Sequence, residues 1–275
     1  MITHLQDTVK LNNGVTMPAF GLGVFKVREG DEVEQSVKSA LKAGYRLIDT
    51  AAAYGNEEGV GKAIRESGIP REEIFVTTKL WNRDQGYETT LKAFDASLKR
   101  LGLEYLDLYL IHWPVKGKYV DSWLAMEKLY KEKKVRAIGV SNFQMHHLKD
   151  VMEAGTIVPA VNQVELHPHL NQEELRQFCL AHDVKVEAWS PIMKGNLDIP
   201  EILTIAKNHD KSPAQVVLRW HLQHDIIVIP KSIHEHRIIE NSQIFDFSLS
   251  DKEMATIDSL NKNFRFGPDP DNFDF

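Results

Sequence analysis

An aspartate and a tyrosine stand five residues apart in the run RLIDTAAAYGNEEGVG, as Asp49 and Tyr54. A lysine follows in VTTKLWN (Lys79) and a histidine in LYLIHWP (His112). Each lies at or just past the end of a short apolar run. Together these four types can manage a proton. A phenol ordinarily releases its proton near pH 10, too high for easy donation to a weakly basic oxygen. A nearby ammonium favours the phenolate and lowers that value. Asp49 would hold Lys79 in place and keep it charged, and a neutral His112 can donate a hydrogen bond to a substrate oxygen. Such a set stabilises a developing alkoxide and then protonates it. It suits reduction of a carbonyl, provided a hydride donor lies alongside.

The segment IPKSIHEHRIIEN (229–241) points to that donor. It places Lys231, Ser232 and Arg237 where a strand gives way to a helix. Backbone N–H groups at a helix start, together with two cations, make a phosphate site. A lysine and an arginine supply more cation than a bare ribose hydroxyl needs. They imply a 2′-phosphate, and hence NADP(H). Trp189, in EAWSP, can stack on a flat nicotinamide ring, while Gln163 and Asn142 can hydrogen-bond its carboxamide.

These residues need a frame that brings them to one place. Strand-like runs recur at 17–23, 46–50, 74–80, 106–113, 135–141, 159–166, 184–191 and 226–232. Amphipathic helical stretches fall between them, at 31–44, 87–102, 122–134, 171–183, 213–224 and 250–261. Gly44 reads as a C-terminal cap residue, and Ser250 with Glu253 as a capping box. Before them, Asn13-Gly14 joins two short alternating runs into a β-hairpin. Eight strand–helix alternations predict an α/β fold, a closed (β/α)₈ TIM barrel preceded by that hairpin. An open doubly wound sheet is the alternative, but FGLGVF lacks the G-x-G-x-x-G turn such sheets usually carry. No linker divides residues 1–275, so one domain is expected. In a barrel, function sits at the C-terminal ends of the strands. There the sequence delivers Asp49, Lys79, His112, Ser141 and Asn142, Gln163, Trp189 and Ser190, and Lys231 and Ser232, one group after another.

The net charge of −6 over 275 residues argues against nucleic acid and against an anionic membrane surface. No run is long and apolar enough to span a membrane, and the N-terminus does not read as a signal peptide. The one cysteine, Cys179, reads as a small core residue. A cytoplasmic monomer acting on a small molecule is expected. His146 and His147 read as a solvated helix face. The pair His167 and His169 has the spacing of metal-binding barrels but lacks further ligands, so no metal is expected. The tail FRFGPDPDNFDF, with its four phenylalanines, should lie ordered across the surface.

Taken singly, Asp49 reads as a cap or ion-pair residue, Tyr54 as packing, and Lys79, Lys231 and Arg237 as solvated charges. Their joint occurrence reverses those readings. In family order, the segments GLGVFK, LIDTAAAYGNEEGVG, VTTKLWN, DLYLIHWP, AIGVSNF, VNQVELHP, EAWSP and VIPKS…RIIEN resemble the aldo-keto reductase family across the whole chain. The resemblance is strongest to short bacterial reductases of the 2,5-diketo-gluconate and glyoxal/methylglyoxal type. It implies NADPH-dependent reduction of small aldehydes, ketones and α-dicarbonyls. It implies Tyr54 as proton donor, Asp49 and Lys79 as its tuning pair, and His112 as the group orienting the carbonyl. It places Asp49, Ser141, Asn142, Gln163, Trp189, Ser190 and Ile192 against the cofactor, with Lys231, Ser232, Arg237, Glu240 and Asn241 at its adenosine phosphate end. Phe25, Trp81 and Trp113 fall at pocket-lining positions beside His112. SPIMKGN departs from the family's usual Ser-Pro-Leu-Gly, and the short tail predicts an open pocket. A cofactor-binding subunit with little turnover and a metal-dependent hydrolase are the rival readings.

Overall fold

The computed structural model describes residues 2–275. It begins with a hairpin whose strands, β1 (Thr8–Lys10) and β2 (Thr16–Pro18), pair antiparallel. Gly14 takes a left-handed φ of 87° at the turn, a conformation glycine adopts without steric cost. Eight parallel strands follow: β3 (Leu22–Gly23), β4 (Leu47–Asp49), β5 (Phe75–Leu80), β6 (Leu106–Ile111), β7 (Val135–Ser141), β8 (Val161–Glu165), β9 (Lys185–Trp189) and β10 (Ile227–Val228). They lie side by side in chain order. Parallel bridges from Phe20 to Val228 and from Gly23 to Lys231 join the first strand to the last. The sequence-predicted barrel is therefore closed.

The first and last strands are shorter than predicted. Residues 17 and 18 belong to the hairpin, and Pro230 has no N–H to extend β10.

Helices clothe the barrel: α1 (Asp31–Lys42), α2 (Glu57–Glu66), α3 (Tyr87–Leu101), α4 (Tyr119–Lys131), α5 (Met145–Ala154), α6 (Glu173–Ala181), α7 (Pro200–His209), α8 (Pro213–Gln223), α9 (Glu235–Ser242) and α10 (Asp251–Asp258). The capping box of Ser250 and Glu253 is formed at the head of α10. Helix α2 was not evident from pattern because glycines at 59 and 61 lower its propensity. Both are there for packing. A Cβ on Gly61 would lie 1.8 Å from the Leu101 carbonyl oxygen, and one on Gly59 would lie 2.4 Å from a Val33 methyl.

Two apolar clusters result. The larger fills the space between strands and helices. The smaller lies inside the barrel, where Met17 and Leu11 of the hairpin segment pack with Leu47, Phe75, Leu108 and Ile227. The hairpin thus plugs the N-terminal end of the barrel and leaves the C-terminal rim to hold polar groups. No helix among the described residues is long and apolar enough to cross a membrane.

Candidate active site

Asp49 is the last residue of β4, and its register partner on β5 is Thr77; Lys79 follows two residues later, on the same strand face and near the end of β5. The Lys79 ammonium donates to Asp49 Oδ1 at 2.6 Å, to the Thr50 carbonyl at 2.9 Å and to the Tyr54 hydroxyl at 3.3 Å. Lys79 is wholly buried, so its charge is compensated only by what the barrel supplies. Tyr54 sits on a short 3₁₀ turn, Ala52–Tyr54, directly after β4. His112, just past β6, places its ring edge-on to both Tyr54 (5.7 Å between centroids) and Trp81 (5.3 Å). The four residues expected to act together do meet.

The electrostatics match part of the expectation and correct another. Burial and repulsion from Lys79 hold the His112 imidazole well below its ordinary value, so the ring is neutral. Burial opposes the Lys79 ammonium, but Asp49 and Tyr54 outweigh it and the group stays charged. Burial raises the Asp49 carboxyl, against the pull of Lys79 and Gln163. The Tyr54 hydroxyl was expected to be more acidic than a free phenol. Instead burial raises it, and Lys79 offsets that rise only in part. In this state Tyr54 is a firmly protonated phenol.

Two hydrogen-bonded supports surround the centre. In the first, Asn142 adopts a left-handed φ of 61°. Its Nδ2 donates to the His112 carbonyl at 2.9 Å and its Oδ1 accepts from the Trp189 indole at 2.8 Å. Asn142, expected to contact a ligand carboxamide, ties Trp189 to the His112 loop in this structure. Ser141 Oγ donates to the Gln163 carbonyl at 2.7 Å. In the second, Gln163 Nε2 donates to Asp49 Oδ2 at 2.8 Å and to Glu187 Oε2 at 2.9 Å. Sequence reasoning missed Glu187. The signal was present: a glutamate amid the apolar run VKVEAW, on the same strand face as Trp189. It also missed Asn56, whose Nδ2 donates to the carbonyls of Val24 (3.0 Å) and Val27 (2.9 Å). That staple holds the loop bearing Phe25, whose ring lies 5.1 Å from that of Tyr54.

A pocket of about 760 Å³ has Trp81, Pro114 and Phe275 among its walls, whereas Phe25, Tyr54, His112 and Trp113 do not line it. The short tail was expected to leave the substrate pocket open; instead its aromatic rings cover Trp81 and Trp113. Phe275 stacks on Trp81 at 6.0 Å and 9°, and both Phe273 and Phe275 pack on Trp113. Asn82 Nδ2 donates to the Phe275 carbonyl at 3.0 Å. Upstream, both Glu165 oxygens accept tail backbone N–H groups, from Phe266 (2.6 Å) and Gly267 (3.0 Å). Gly267 has to be bare here, because a Cβ would lie 2.4 Å from the Trp189 ring. His167 is buried against Glu165 at 2.8 Å, a partner for the tail clamp. His147 is likewise not the solvated residue expected. It is buried, and its Nδ1 accepts the Gln144 N–H at the start of α5.

The expected phosphate residues gather in a second cleft of about 460 Å³, which Ile192, Lys231, Ser232, Arg237, Glu240 and Asn241 help to line. Lys231 and Arg237 are exposed there, whereas Ser232 and Asn241 are buried. Ser190, at φ 53°, turns the chain between this cleft and Trp189.

A buried lysine–carboxylate–phenol centre on the rim of a closed parallel barrel, with a basic cleft alongside, defines a reductase-like barrel enzyme. Residues 19–262 match the Aldo/keto reductase family, and the chain belongs to that family of oxidoreductases. It is 64% identical to the glyoxal reductase of Bacillus subtilis (strain 168), over 98% of this chain and 99% of that one. Among solved structures, a Gox0644 variant in complex with NADPH superposes with a TM-score of 0.94 at 46% identity, covering 98% of this chain and 99% of that one. A Bombyx mori aldo-keto reductase in complex with NADP gives 0.91 at 37% identity, covering 98% and 97%.

Proposed function

We propose that this protein reduces small aldehydes, ketones and α-dicarbonyls such as methylglyoxal to alcohols, with NADPH as donor. The observation that carries the reading is the buried contact of Lys79 with both Asp49 and the Tyr54 hydroxyl. The cofactor is NADP(H), and the residues fit it. Lys231 and Arg237 offer two cations to a 2′-phosphate beside the start of α9. Trp189 offers a ring face held by Asn142, and both amide hydrogens of Gln163 point at carboxyl groups. Its Oε1 is then left to accept from a ligand amide.

When bound, the reduced nicotinamide supplies a hydride to the carbonyl carbon. The chain's own groups handle the oxygen. Neutral His112 orients it by hydrogen bond, and Tyr54 Oη delivers the proton. Lys79 stabilises the phenolate left behind, which a buried phenol would otherwise resist forming. Asp49 holds Lys79 charged for that step. Phe25, Trp81 and Trp113 surround the carbonyl's substituent. All these groups come from one chain and one barrel domain, so a monomer would carry a complete site.

Tyr54→Phe tests the reading. Turnover should fall by about 10²- to 10⁴-fold, while NADPH still quenches tryptophan fluorescence with nearly unchanged affinity. Turnover within a factor of two of the unaltered enzyme would sink it. Absence of NADPH oxidation across a panel of aldehydes would favour a cofactor-binding subunit instead.

A further inference from the structure

Glu187 is a buried carboxyl for which the proposed chemistry has no use. It lies in the middle of β9, in register with Gln163 on β8. It terminates a continuous chain of contacts. Glu187 Oε2 meets Gln163 Nε2 at 2.9 Å, which meets Asp49 Oδ2 at 2.8 Å, and Asp49 Oδ1 meets Lys79 Nζ at 2.6 Å. Lys79 reaches Tyr54 Oη at 3.3 Å. Two carboxyls therefore share one cation, and they share it unequally. Asp49 takes Lys79 directly and Gln163 as well. Glu187 takes one amide hydrogen, its Oε1 is buried without a partner, and it has no ion pair among the described residues. A lone carboxylate with one donor is costly to bury. By geometry, Glu187 is the member that carries a proton.

The charged and titratable groups facing it are Asp49 from β4, Lys79 from β5 and Tyr54 from the turn after β4. Burial and the Asp49 charge push the Glu187 carboxyl up to about 8, against Gln163 and Lys79. Gln163, which gives Glu187 one amide hydrogen, is also the residue whose Oε1 would accept from the nicotinamide amide on the reading above. The nicotinamide ring is neutral when reduced and cationic when oxidised.

We propose that Glu187 is a positioning residue that senses the cofactor's oxidation state: it stays a neutral acid beside NADPH and ionises beside NADP⁺. It also helps to hold the Gln163 amide, whose orientation Asp49 fixes, since a flipped amide would set its oxygen against the Asp49 carboxylate. The consequence is linkage. NADP⁺ binding releases a proton near neutral pH, and NADPH binding does not. Rising pH favours NADP⁺ over NADPH, easing the reverse reaction and slowing product cofactor release. The inference rests on the cofactor reading above.

The test is the ratio of the dissociation constants of NADP⁺ and NADPH, measured by tryptophan quenching from pH 6 to 9.5. The 2′-phosphate is common to both forms, so its own titration cancels in the ratio. The ratio should fall by roughly tenfold as pH rises, on the scale expected of a charge interaction across one intervening side chain. In Glu187→Gln it should stay flat at the low-pH value. Calorimetry of the unaltered enzyme in buffers of different ionisation enthalpy gives a second readout that does not depend on the variant folding. It should show fractional proton release on NADP⁺ binding only. A pH-independent ratio, an unchanged slope in Glu187→Gln, or equal proton release with both forms overturns the proposal. Failure of NADPH to bind at all overturns the cofactor reading instead, and the two failures are distinguishable.

Discussion

The buried centre at one end of the barrel rim and the basic cleft at the other differ in what water can reach. At one end Lys79, Asp49 and Glu187 have their charges and protons settled inside the barrel, by partners at fixed distances. At the other, Lys231 and Arg237 stand in solvent on a strand–helix junction. The same kinds of group appear at both ends, but burial changes what each interaction is worth. Inside, an ion pair is strong and removing one partner strands the other. Outside, solvent and salt screen the charge, which acts mainly on a ligand that brings its own. On the proposed function, one end moves a proton and the other holds an anion.

The largest effect should come from breaking the buried end. Lys79→Met leaves Asp49 without its cation, and the loss of stability should reach about 3–5 kcal/mol. It should be greater at pH 8 than at pH 5, because burial already raises the Asp49 carboxyl, losing Lys79 removes a main downward pull, and added protons relieve the stranded carboxylate. Urea unfolding at the two pH values measures it. A cost below about 1 kcal/mol at pH 8, the value of an exposed pair, would erase the contrast.

At the open end the expected loss is of affinity. Changing Lys231 and Arg237 together to alanine should weaken NADPH by about 10- to 100-fold, the worth of one or two charge-assisted hydrogen bonds. NADH affinity and thermal stability should hardly move, and the penalty should shrink as salt rises. An equal loss for NADH would show that these residues support the fold rather than a phosphate.

A third effect belongs to Glu187. Its carboxyl is raised from an ordinary 4.5 to about 8 in the folded chain. Between those values the folded state holds a proton that the unfolded state has released. Stability should therefore fall as pH climbs through that window, by up to about 1.4 kcal/mol per unit, and level off above it. Glu187→Gln should remove this slope. Melting temperatures of both proteins from pH 5 to 9 check it, and parallel curves would remove Glu187 from the account.

How much of this the sequence disclosed follows the same division. The barrel was legible because strands buried on both faces stand out as brief apolar runs, and Asp49, Lys79 and His112 because each closes one. The residues proposed to hold phosphate stood out because cations at a strand–helix junction form a local pattern, and the fold gathers them in one cleft. Helix α2 was obscured by Gly59 and Gly61, whose value lies in neighbours distant in sequence. Glu187 was hidden because a single acid in a strand acquires meaning only from its partners across the sheet. The acidity of Tyr54 was misjudged for a related reason. The sequence names the ammonium beside it, but burial is set by the folded chain, and burial prevails.

The tail lies at the edge of the buried end, where its aromatic rings cover Trp81 and Trp113. Phe275 stacks on Trp81 and meets Trp113 edge-on, while Asn82 grips its backbone carbonyl. Phe275→Ala keeps the backbone tie and removes only the ring. An aromatic pair contributes about 0.5–1.5 kcal/mol beyond burial, so KM for an aromatic aldehyde should rise by roughly two- to tenfold. The value of kcat should hold, because the ring is not in contact with the proton-transfer groups. A fall in kcat with unchanged KM would mean that the tail tunes the centre itself, and that the boundary between wall and chemistry lies further out than Trp81.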